Sequence, residues 1–177
     1  MRIDTFLWTA HAIGWATYVG GSLTMELVLR HAQQSMRPSQ VAVVCQRAGL
    51  RYRWFALASL VTVGATGVLQ LLRLDAAQLA ARAGSPALSL ADPYGRTVLL
   101  LAVLWLVLAA IWSVMAFWLH PGMHARFSAE MSKEQAQVER QRIGVQIRRM
   151  DRSLRTELAV ALFALIVGAT LRLGGIV

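Results

Sequence analysis

Four apolar runs, each long enough to cross a lipid bilayer, constrain this chain more than any other feature. They read "TFLWTAHAIGWATYVGGSLTMELVL", "WFALASLVTVGATGVLQLL", "TVLLLAVLWLVLAAIWSVMAFWL" and "LRTELAVALFALIVGATLRLGGIV". A span needs roughly 18 or more mostly apolar residues. Inside lipid every unpaired backbone group costs several kcal/mol, so such runs must be helical. The composition agrees: 56% of the 177 residues are hydrophobic and only 15% are charged. The expected fold is all-α, an integral membrane four-helix bundle in a single domain. Its spans are expected at about 5–29, 54–72, 97–119 and 154–177.

The charges orient the bundle. The net charge of +9 would suit a nucleic-acid binder, but the basic residues lie between the apolar runs. That is the pattern of loops facing anionic lipid headgroups, and no nucleic-acid partner is expected. Segment 30–53 carries Arg30, Arg37, Arg47, Arg51 and Arg53, and segment 120–153 is equally rich in arginine. Segment 73–96 has only Arg73, Arg82 and Arg96, partly offset by Asp75 and Asp92. The positive-inside rule therefore makes 30–53 and 120–153 cytoplasmic and puts 73–96 and both termini in the periplasm. The expected location is a bacterial inner membrane, with the lipid bilayer as first partner and membrane proteins or a second copy as further ones.

The segment before the fourth span, "SAEMSKEQAQVERQRIGVQIRRMDRSLRTEL", has no proline and many good helix formers. It is expected to extend that span as a cytoplasmic helix, with Val138, Ile143, Ile147, Met150 and Leu154 forming one apolar stripe. The lone Cys45 excludes an intrachain disulfide and a CxxC metal site. The N-terminus shows no separate basic region and no A-x-A site, so it reads as a retained span rather than a removed signal.

Polar residues within the spans are the candidates for function. In the first span His11, Trp15, Tyr18, Ser22 and Met25 share a helical face, and Gly14, Gly20 and Gly21 permit close helix approach. A histidine in lipid must find a partner, water or an ion; His11 reads either as a ligand or proton relay, or as a side chain bonded to a neighbouring helix. Ser59, Thr62, Thr66 and Gln70 form a polar stripe on the second span, with Thr66 and Gln70 at the depth of His11. Glu26 and Arg30 are spaced for an i,i+4 ion pair.

The segment "HPGMH" ends the third span. Pro121 biases His120 away from helical geometry, so His120 and His124 need not chelate from one face. Together with His31, and with Met25, Met123 or Met131, they offer the imidazole and thioether donors that copper favours; the preferred reading of the residues alone is solvated interfacial histidines. His11 stands about 30 Å of helix from His31 and cannot share that site. No nucleophile elbow, phosphate loop or HExxH motif is present.

Three segments together resemble the copper resistance D (CopD) family of four-helix membrane domains. They are "AHAIGWATYVGGSL", "RYRWFALASLVTVGATGVLQ" with Thr66 and Gly67, and "DPYGRTVLLLAVLWLVLAAI" with Tyr94, Gly95 and Arg96. The resemblance implies copper transport or tolerance, with His11 and Met25 along the path and His120, Met123 and His124 at its cytoplasmic exit. The layout is also similar to HemJ-type membrane proteins, which implies a b-type haem or quinone site near His11, Trp15, Tyr18, Thr66, Gln70 and Arg96. Those proteins carry a lysine in the third span, where this chain reads "RTVLLLAV". Arginine stays protonated and cannot be an axial ligand. A third reading is a non-catalytic accessory subunit of a larger membrane complex.

Overall fold

The computed structural model describes residues 3–36, 38–73, 90, 92–121 and 132–175. Four long helices dominate. α1 (Ile3–Leu23) runs through a wide π-helical stretch at Thr24–Leu29 into the short α2 (Arg30–Ser35). α3 (Pro38–Leu72) and α4 (Pro93–Val114) follow, and α4 also ends in a π-helical stretch, Met115–Leu119. α5 covers Lys133–Thr170.

Local chemistry sets these limits. Asp92 caps α4, its carboxylate accepting from the Gly95 amide at 3.2 Å, and Pro93 follows in the first turn, where a missing N–H costs nothing. Ser132 and Gln135 close a reciprocal capping box at the start of α5. α3 begins at Pro38, well before the expected second span, because no proline follows before Arg53 and the single Gly49 is tolerated within the helix. The segment expected as a cytoplasmic loop is thus largely helical. α5 is continuous through the expected extension. Ile143 and Leu154 on its stripe are buried, whereas Val138 points outward.

Among the described residues three helices are long and apolar enough to cross a membrane: Arg47–Leu72, Pro93–Leu119 and Lys133–Thr170. In the second of these the protein itself buries only 17% of the most apolar stretch. Leu106, Val61 and Ile166 are among the large side chains left facing outward, where acyl chains cover them at no hydrophobic cost. The chain is a multi-pass membrane protein. α1 is not one of the three, since His11, Gly14, Thr17, Tyr18, Gly20, Gly21 and Ser22 dilute its hydropathy. α5, with 38 residues, spans about 57 Å at 1.5 Å per residue. That is nearly twice the roughly 30 Å hydrocarbon layer, so its arginine-rich first half extends beyond it.

α1 packs chiefly along α3, and α4 along α5. The core between them is Tyr18, Val19, Ala56, Leu60, Leu108 and Ala161. Close approach depends on Gly64 and Gly21, among other positions. The Trp105 ring lies across Gly64, where an added Cβ would meet it at 2.6 Å, and the indole N–H donates to the Leu60 carbonyl at 3.0 Å. The Tyr52 ring lies across Gly21, where a Cβ would meet it at 2.9 Å. An ion pair between Arg73 and Asp4 at 3.2 Å joins the end of α3 to the start of α1. At the opposite end of the bundle, called here the basic end, Glu26 accepts from both Arg30 at 2.8 Å and Arg155 at 2.9 Å.

Candidate functional site

α1 carries two separate polar sites. Near its start, His11 Nδ1 and Thr66 Oγ1 are 2.9 Å apart. The Thr66 hydroxyl has one proton and gives it to the Thr62 carbonyl at 2.6 Å. With the Thr66 proton on its own helix the ring donates from Nδ1, the tautomer that leaves the lone pair on Nε2, and the ring also interacts with the Val63 backbone. His11 thus finds its company on α3, at the depth expected for Thr66. Gln70, one turn further along α3, has a buried Nε2 without a hydrogen-bond partner among the described residues. Arg96 opens α4 as an exposed side chain.

Two turns further along α1 the second site begins. Tyr18 is buried, and its hydroxyl donates to Glu157 Oε1 on α5. Trp15 packs edge-on against the Tyr18 ring, with centroids 6.3 Å apart. Ser22 Oγ lies 2.6 Å from Tyr52 Oη on α3 and 3.0 Å from the Tyr18 carbonyl. Tyr52 also interacts with the Glu157 carboxyl. Glu157 is 0% exposed, and no arginine or lysine pairs with it among the described residues. Its Oε2 is buried without a hydrogen-bond partner among them. A carboxyl held this way by hydroxyls from α1 and α3 is the most costly polar feature of the interior.

A small cavity of about 70 Å³ adjoins this site at the basic end. Its walls include Met25, Met115, Met150, His120, Tyr52 and Gly49. Met25 lies in the π-helical stretch that follows α1, and Met115 in the one that ends α4. Such stretches widen the helix and recur at functional sites. His120 is 3% exposed, and its ring edge sits 3.5 Å from where a Gly49 Cβ would stand. Its backbone stays right-handed helical (φ −63°, ψ −45°), contrary to the bias expected from Pro121. The wide turn before it, closed by His120 N–H to the Met115 carbonyl at 2.9 Å, leaves the pyrrolidine ring room that an ordinary turn denies it. The helix nonetheless ends there, as expected.

Of the expected metal ligands, the structure brings Met25 and His120 to one cavity. His31 is exposed on α2, and His11 stands toward the other end of the bundle. Met123, His124 and Met131 lie outside the described residues. Among the described residues no three His, Cys, Asp or Glu side chains cluster as a metal site.

Sequence reasoning missed Glu157, Tyr52, Met115 and Met150 as site residues. An acidic residue within an apolar run was the available signal for Glu157. Tyr52 reads in sequence as an interfacial aromatic, and Met115 and Met150 as ordinary core. No family model, curated protein or solved structure matches the chain.

Proposed function

We propose that this chain is a CopD-like four-helix protein of a bacterial inner membrane that handles copper, with α1 crossing alongside the other three helices. The arginine-rich basic end is the cytoplasmic one, and both termini face the periplasm. The observation that carries this reading is the donor set around the cavity: three thioethers, from Met25, Met115 and Met150, and the buried imidazole of His120. Soft thioether donors with imidazole select cuprous copper over magnesium or calcium. Glu26 and Asp151, with Arg30 and Arg53, also line the cavity, so the soft donors stand beside charged groups at the basic end.

The test is competitive titration of the purified protein with cuprous ion against a chromophoric chelator. The wild type is expected to withdraw copper stoichiometrically. The triple variant Met25→Leu, Met115→Leu, Met150→Leu, which keeps volume and apolarity, is expected to lose most of that affinity, as is His120→Ala. Equal copper retention by wild type and triple variant would end the copper reading at this cavity.

One observation favours a second reading. His11, with Nδ1–H anchored on Thr66 and the lone pair on Nε2, is arranged as ligating histidines are, oriented by a partner on the far nitrogen. That supports a b-type haem beside α1 and α3. It predicts a Soret band that disappears in His11→Ala; a colourless preparation from haem-replete cells counts against it.

A further inference from the structure

We infer that Glu157 is a proton-exchange site inside the bundle, reached from the basic-end cavity through Tyr52. The inference does not rest on the copper reading, because none of its residues is among the proposed copper ligands.

The geometry favours a proton over a metal ion. The oxygens gathered here belong to one carboxylate and three hydroxyls, those of Tyr18, Ser22 and Tyr52. Magnesium and calcium require six or more oxygens, several of them charged or carbonyl. Hydroxyl groups both donate and accept, so a line of them moves protons without moving atoms far. Tyr52 lines the cavity and is also 2.6 Å from Ser22. Its hydroxyl also interacts with the Glu157 carboxyl, so Tyr52 meets both the open space and the buried acid. Each hop forms one O–H bond on the accepting oxygen and breaks one on the donating oxygen, and no electrons change hands. A proton taken up by Tyr52 from the cavity displaces the phenolic proton toward Glu157 Oε2, the carboxyl oxygen without a hydrogen-bond partner among the described residues. Oε1 is held by Tyr18, which fixes the acid while its other oxygen exchanges.

The titratable groups facing Glu157 are Tyr18 from α1 and Tyr52 from α3. From α4 the neighbouring core residue is Leu108, which carries no charge. The nearest ionic cluster along α5 is Arg155 and Arg30, both about half exposed, paired with the largely covered Glu26, and Asp151 and Arg53 line the cavity beside Tyr52. Among the described residues no fixed charge pairs with the carboxyl, and the hydroxyl route connects it to the cavity.

The experiment is infrared difference spectroscopy of the full chain reconstituted in phosphatidylcholine vesicles, titrated in water and in heavy water. The expected signal is a protonated-carboxyl C=O band that rises and falls with pH and shifts on deuteration. Labelling the glutamates with 13C in the wild type assigns the band to glutamate even if Glu157→Gln does not fold; where it folds, the band should be lost. Tyr52→Phe is expected to retain the band and slow its isotope exchange. A wild-type band that neither titrates nor exchanges would make Glu157 a purely structural acceptor and overturn the inference. A signal that follows sodium concentration at fixed pH would do the same. Exchange as fast in Tyr52→Phe as in the wild type would overturn the route through Tyr52.

Discussion

The two polar sites on α1 differ in how completely the bundle closes over them. His11 is half-buried and finds its partners, the Thr66 hydroxyl and the Val63 backbone, on one neighbouring helix. Tyr18 and Ser22 are sealed, and they draw in side chains from α3 and α5. A half-open site can exchange a partner for lipid, water or a cofactor at little cost. A sealed site cannot, since each unmade bond there costs the desolvation of a buried polar group. The same helix face therefore carries one replaceable contact and one that the fold must keep.

The largest effects should come from the close approaches that seal the interior. Gly64→Val drives a side chain into Trp105, which cannot retreat without giving up its bond to the Leu60 carbonyl. Overpacking of this kind costs about 1–3 kcal/mol, and the lost indole bond adds roughly 0.5–1.5. A marked fall in the unfolding midpoint in detergent is expected. Gly20→Val is the matched control, because a Cβ at Gly20 meets nothing within 4 Å. Similar losses for both variants would show that glycine at these positions serves something other than helix approach.

Next comes the sealed site itself. Tyr18→Phe removes the donor to Glu157 Oε1 and leaves a second buried oxygen unpaired, at about 1–3 kcal/mol. Glu157→Gln should cost less, since its amide oxygen still accepts from Tyr18. Chemical denaturation of both variants in the same detergent gives the order. A more stable Tyr18→Phe protein would mean that the bond is not formed in the membrane.

The helical architecture was legible in sequence because it depends on length and hydropathy, which each segment carries alone. The placement of Thr66 beside His11 was legible too, since depth along a helix follows from residue number. Glu157 escaped notice because its meaning lies in what faces it. Tyr18 and Tyr52 are 34 residues apart in the chain, and only the crossing of three helices makes them one site. Met115 and Met150 were hidden for a related reason: a lone methionine on an apolar stripe looks like core until a cavity gathers several. The helical backbone of His120 could not be anticipated from Pro121, because the π-helical turn that accommodates the ring leaves no mark in composition.

At the basic end, Arg155→Ala removes one of two cations on Glu26. Both arginines are about half exposed, so solvent and salt screen them, and the loss should be within roughly 0.2–1 kcal/mol and shrink as salt is added. A salt-insensitive loss would point to packing by the arginine stem instead.

The smallest effect is the most informative about the open site. Thr66→Val keeps the shape of the side chain and deletes the oxygen that accepts from His11. Interhelical hydrogen bonds in membrane proteins average about 0.6 kcal/mol, so the single variant alone is barely measurable. A double-mutant cycle with His11→Phe isolates the coupling between the two side chains. A coupling near that average is expected, since the ring at the bundle edge finds other partners once Thr66 is gone. A coupling well above it would mean that His11 is as tightly held as Tyr18, and the contrast between the open and sealed sites would fail. A coupling of zero would leave Thr66 bonded only to its own helix, and the lone pair on Nε2 would lose the anchoring that makes His11 resemble a ligand.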